Sequence, residues 1–102
     1  MRLTEFQSSR IQKEAKKFFG SQSHVWLFGS RVDDGQRGGD IDLYIEPGIQ
    51  DVDALVDARL SFLVEIHRVL GNQKIDVVLH RDNSSVDLPI YRIARETGER
   101  LL

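Results

Sequence analysis

Residues 29–46 read GSRVDDGQRGGDIDLYIE, and the fold is decided by how this stretch changes character along its length. From Asp40 onward it alternates strictly, with Asp40, Asp42 and Tyr44 on one side and Ile41, Leu43 and Ile45 on the other. A period of two sends successive side chains to opposite faces of a strand, so 40–46 is a strand with one apolar face. Arg31 to Gly39 is polar, carries Gly35, Gly38 and Gly39, and reads as a loop. Before it, VWLF over 25–28 is short, aromatic and β-branched and stops at Gly29, as a buried strand does. About a dozen residues join the two strands, the lower limit for a parallel crossover, so they are expected to be antiparallel neighbours.

Working outward, Thr4 and Gln7 have capping-box spacing, Phe6, Ile11, Ala15, Phe18 and Phe19 follow a helical period, and Gly20 can close a helix over 5–19. Pro47 and Gly48 break the second strand, and Asp51 or Asp53 can cap a second helix. Val52, Leu55, Val56, Leu63, Ile66 and Leu70 form the stripe of this helix, the longest in the chain, closed by Gly71. Ile75, Val77 and Leu79 alternate with Asp76, Val78 and His80 as a third strand, a polar loop begins at Arg81, and Pro89 starts a short helix ending near Gly98. A full helix between the second and third strands suits a right-handed parallel crossover. That topology brings the end of strand one and the starts of strands two and three to one edge, where Gly29, Ser30, Asp40, Asp42 and Asp76 converge. The expected fold is α/β in the α+β sense, a small mixed sheet flanked by helices.

With 102 residues, 40% hydrophobic and 29% charged, the chain is sized for a single domain spanning 1–102, which excludes a large multi-domain enzyme. A formal charge of -2 gives no basic excess to drive non-specific DNA binding by counterion release. The absence of cysteine excludes disulfides, thiolate zinc sites and thiol nucleophiles. No signal-peptide pattern and no bilayer-length apolar run occur, so no membrane association and a cytoplasmic location are expected.

Two aspartates at i and i+2 on a strand face the same way with α-carbons about 6.5 Å apart, which lets them share two hard cations. Asp40 and Asp42 have this spacing, against the plain alternative of two solvated acids on an outer face. Asp76 sits third in its strand, as Asp42 does in its own, between Ile75 and Val77, where a lone buried carboxylate would be costly unless paired or metal-bound. Three such carboxylates make an oxygen-ligand cradle for Mg²⁺ or Mn²⁺. Gly29 permits close backbone approach and Ser30 offers a hydroxyl to an anion. Arg31 and Arg37 can reach phosphate oxygens, or pair with Asp33 or Asp34. Trp26 and Tyr91 read as packing, His24 and His67 as structural, and Arg10, Lys13, Lys16 and Lys17 as the solvated side of the first helix. His80 shares the face of Asp76, where it could support that carboxylate.

Taken together, GSRVDDGQRGGDIDLYIE resembles the signature of the DNA polymerase β nucleotidyltransferase superfamily, and within it the minimal nucleotidyltransferases of prokaryotes. An initial helix, GS at a strand end, DxD on the next strand, a third Asp in KIDVVL and the ending YRIARETGERLL occur in the family's order, over most of the chain. The resemblance implies a polymerase β-like fold, with the triphosphate held at Gly29 and Ser30. It implies two metal ions on Asp40 and Asp42, and Asp76 completing the catalytic site. Two departures fall on the phosphate side: the spacer between GS and DxD is one residue shorter than the commonest form, and Gly39 stands where a serine often precedes the first Asp.

The implied activity is Mg²⁺-dependent transfer of a nucleoside monophosphate, AMP from ATP, to a hydroxyl of a protein or small molecule. Relatives of this kind are commonly encoded beside a HEPN-domain protein, and some act as antitoxins by adenylylating a tyrosine of that toxin, so a HEPN partner is expected. A second expectation is an antitoxin or adaptor that binds the HEPN protein without significant catalysis. A third is a nucleotide-binding subunit of a small-molecule transferase, such as one acting on an aminoglycoside. A one-domain enzyme with an open site is expected to form a homo- or hetero-oligomer.

Overall fold

A computed structural model describes residues 3–28, 40–71, 73–81 and 88–102, with Asp40 described by its backbone alone. Helix α1 (Glu5–Phe19) begins where expected: Gln7 N–H donates to Thr4 Oγ1 at 3.1 Å and Thr4 N–H donates to Gln7 Oε1 at 3.0 Å. Two N–H groups that have no partner within the helix are thereby satisfied. The helix ends at Gly20, whose φ of 106° suits a residue without a Cβ. Strands β1 (His24–Phe28) and β2 (Asp40–Glu46) come next, then α2 (Val52–Leu70), started by Asp51 accepting from Ala54 N–H at 2.9 Å. Strand β3 (Lys74–Leu79), helix α3 (Pro89–Thr97) and the two-residue β4 (Glu99–Arg100) complete the described elements.

The sheet runs in the order β3-β2-β1-β4. Strands β1 and β2 are antiparallel and β2 and β3 parallel, as the connection lengths predict. Strand β4 has no counterpart in the sequence reading. It lies antiparallel outside β1, pairing Leu27 with Glu99 and Trp26 with Arg100, and the chain continues along β1 as Leu101 N–H donates to Val25 C=O.

Each face of the sheet carries its own helices. Val25 and Leu27 of β1, Ile41, Leu43 and Ile45 of β2, and Ile75 and Val77 of β3 meet Ile11, Ala15 and Phe19 of α1 and Leu55, Phe62 and Ile66 of α2. The rings of Phe19 and Phe62 lie 5.2 Å apart, and burying each side chain contributes on the order of 1.5–3 kcal/mol. On the opposite face Tyr91 and Ala94 of α3 pack on Tyr44, flanked by Trp26, Phe28 and Val78. The result is an α+β fold with a four-stranded mixed sheet.

Three apolar residues expected in the core lie outside it. Phe6, Val52 and Val56 are exposed: α2 buries the stripe Leu55, Ala58, Phe62, Ile66 and Leu70, Val56 sits roughly a quarter turn from the middle of that stripe, and Val52 is the first residue of the helix. Among the described residues no helix is long and apolar enough to cross a membrane.

Candidate active site

The parallel pairing of β2 and β3 sets Asp42 opposite Asp76 and Asp40 opposite Lys74. Register partners share a face and neighbouring strands lie about 4.8 Å apart, so Asp42 and Asp76 present two carboxylates side by side. The antiparallel pairing of β1 and β2 extends the same row to Phe28, which stands opposite Asp42. One row thus crosses three strands, from the last residue of β1 to the third residue of β3. Gly29 and Ser30 come next in sequence after Phe28. With Arg31, Arg37 and the side chain of Asp40, they lie outside the described residues.

The setting of Asp76 differs from the sequence expectation. The buried positions of β3 are Ile75 and Val77, whereas the Asp76 side chain faces outward and is 52% exposed, with Lys74 Nζ 3.9 Å from its Oδ2. No burial cost has to be offset here, because flanking by apolar residues in a strand says nothing about the opposite face. Like charges directly opposite each other on a sheet are destabilising by roughly 0.2–1 kcal/mol, and an exposed ion pair such as Lys74–Asp76 returns about as much at best. Carboxylates side by side on neighbouring strands are oxygen donors of the kind that hard divalent cations take. Among the described residues no group of three metal-ligating side chains occurs, and the third carboxylate of the sequence motif, that of Asp40, is not among them.

Further along the same face sits a polar cluster that sequence reasoning missed. Tyr44 is fully buried, and its hydroxyl donates to Glu46 Oε2 at 2.7 Å while accepting from Arg95 at 3.0 Å. His80 Nδ1 lies 2.9 Å from the same oxygen. Because the single phenol proton goes to Glu46, Nδ1 must carry the hydrogen in that contact, which fixes the imidazole tautomer. Arg95 also reaches Glu46 at 3.3 Å, and the His80 ring stacks on Tyr91 with centroids 3.9 Å apart. Burial, then the hydrogen bond to Glu46, pushes the Tyr44 hydroxyl far above the usual tyrosine range.

His80 therefore belongs with Tyr44, about 13 Å along β3 from Asp76, and does not support that carboxylate. The alternation of β2 placed Tyr44 and Glu46 on one face and could have suggested the pair. Arg95 gave no such signal, because it arrives only when α3 folds back over the sheet. A groove of about 230 Å³ lined by Val52, Leu55, Leu79, His80, Arg81 and Tyr91 opens at this end of β3, away from the acids.

No model of a known protein family matches the chain, and no curated protein matches it.

Proposed function

We propose that this chain is a divalent-cation-dependent nucleotidyltransferase that moves AMP from ATP to a hydroxyl acceptor, the acceptor being carried by a HEPN-domain partner protein. The observation that carries the reading is the register pairing of Asp42 with Asp76, in the row where β1 ends and the GS motif begins. The donor chemistry supports the same reading, since carboxylates in adjacent register are what an oxygen-preferring cation requires.

Asp40, Asp42 and Asp76 would hold two Mg²⁺ ions, for which Mn²⁺ can substitute. Bound there, the ions supply charge neutralisation for the triphosphate and ease ionisation of the acceptor hydroxyl. Gly29 and Ser30 bind the triphosphate tail through backbone N–H and hydroxyl groups, with Arg31 and Arg37 on its outer oxygens. Asp76, half exposed on the outermost described strand, is open to an incoming hydroxyl and accepts its proton. The acceptor oxygen bonds to the α-phosphorus as the bond from that phosphorus to the bridging oxygen breaks, and pyrophosphate leaves.

The test is intact-mass analysis of the chain and the protein encoded beside it, co-expressed and incubated with ATP and Mg²⁺. An AMP-sized increment on the partner that disappears in Asp42→Asn establishes the activity. A stable complex with no increment on either protein overturns it and leaves an antitoxin that acts by binding alone. A nucleotide on a small-molecule acceptor instead would overturn the HEPN assignment and keep the chemistry.

A further inference from the structure

Helix α2 carries a second apolar surface that the core does not use. Val52, Val56, Leu60 and Val64 succeed one another at intervals of four residues, so they form a single ridge about 18 Å long. Leu60 is 66% exposed, Val56 63% and Val64 52%. Isolated exposed aliphatic residues are ordinary, but an unbroken ridge on the solvent side of a helix is not, since that side is normally polar. Alongside the ridge runs a recess of about 350 Å³ lined by Phe18 of α1 and by Leu60, Ser61, Val64 and Glu65. Ridge and recess lie next to each other, which is the arrangement a surface needs to pack against a copy of itself.

We propose that α2 is the contact helix of a homodimer in which two copies pack antiparallel about Leu60. The charge along the helix selects this occupant and this direction. Asp51, Asp53 and Asp57 crowd the N-terminal end, and His67 and Arg68 occupy the last turn, Arg68 with Glu65 as an ion partner 3.0 Å away on its own helix. With the two-fold axis at Leu60, positions 53 and 67 are equidistant from it and Val56 meets Val64. Each acidic end then lies beside the other copy's His67 and Arg68. Parallel packing would set the three aspartates of one copy against those of the other. The ridge is on the face of the sheet opposite the Asp42–Asp76 row, so the dimer leaves that row open and stands or falls independently of the transferase reading.

Sedimentation velocity on the full chain from micromolar to millimolar concentration tests this, with circular dichroism to check that each variant folds. Wild type is expected to dimerise, and Leu60→Asp, at an exposed position, to weaken the dimer by at least about 30-fold while keeping the circular dichroism spectrum of the folded chain. Leu60→Ala is the milder variant and should weaken it in the same direction. Asp53→Arg and Arg68→Glu should each weaken the dimer, and the two together should restore it by exchanging the charges across the axis. A wild-type chain that stays monomeric at millimolar concentration overturns the proposal and leaves the ridge to a different protein. A dimer indifferent to Leu60→Asp, or a double variant no better than its singles, overturns it as well.

Discussion

Asp42 and Asp76 are register partners on parallel strands, each held on the open face of the sheet by flanking residues buried on the other. Substituting them should therefore affect the proposed transfer far more than stability. Asp76→Asn relieves a like-charge pair worth roughly 0.2–1 kcal/mol but gives up the Lys74 ion pair of about the same size, so the unfolding midpoint of the metal-free protein should change little. The same variant, and Asp42→Asn, should lower nucleotide transfer by at least about 100-fold. Thermal denaturation and an intact-mass transfer assay on one preparation check both, and transfer retained by a variant that stays folded would refute the assignment.

Lys74 stands in the row next to this pair, with its ammonium 3.9 Å from Asp76. Lys74→Met should leave the acids less compensated, so the metal-free midpoint falls and the rise on adding millimolar Mg²⁺ becomes larger than in wild type. A Mg²⁺-induced shift unchanged by the substitution would separate Lys74 from the cation site.

Removing the Tyr44 hydroxyl takes a shared partner from Glu46, Arg95 and His80, leaving Glu46 and Arg95 with each other. Tyr44→Phe should cost about 1–3 kcal/mol, lowering the midpoint by roughly 4–8 °C for each kcal/mol. The raised Tyr44 pKa also makes stability depend on pH. The folded state holds this proton more tightly than the unfolded chain, whose tyrosines titrate at about 10. The stabilisation is therefore complete below that pH and declines as pH rises above it. Absorbance titration should show Tyr44 ionising only as the protein unfolds in alkali, and reversible ionisation at the ordinary tyrosine pH would contradict the cluster.

Gly98 turns the chain from α3 into β4 at a point where a Cβ would strike the carbonyl oxygens of Ala94 and Leu27. Gly98→Ala should destabilise by about 1–3 kcal/mol in urea unfolding, because backbone rather than a flexible side chain would have to move. A neutral effect would mean that β4 is not held against β1 in solution.

How much was legible in the sequence depended on whether a signal was local. The alternation through Ile41, Leu43 and Ile45 named the buried face of β2, and the lengths of its two connections gave both strand pairings. The row holding Asp42 and Asp76 came from those two facts. Strand β4 did not, since Glu99 and Arg100 have no strand character of their own and pair only because β1 has an unfilled edge. Helix α2 misled because it is apolar on two sides: a helical period identifies the helix but does not say which stripe meets the sheet. The Tyr44–Arg95 contact joins residues from β2 and α3, and nothing local announces it.

The only tryptophan of the sequence, Trp26, lies on the α3 face, its ring 5.3 Å from that of Tyr44 and 5.5 Å from the Arg100 guanidinium. The molecule therefore carries a private optical reporter on the side where the acids stand. Detachment of α3 or β4 should shift its emission while the α1–α2 core, remote from it across the sheet, stays folded. Association through the α2 ridge should leave that emission unchanged, so a single fluorescence channel can tell events on one face of the sheet from events on the other.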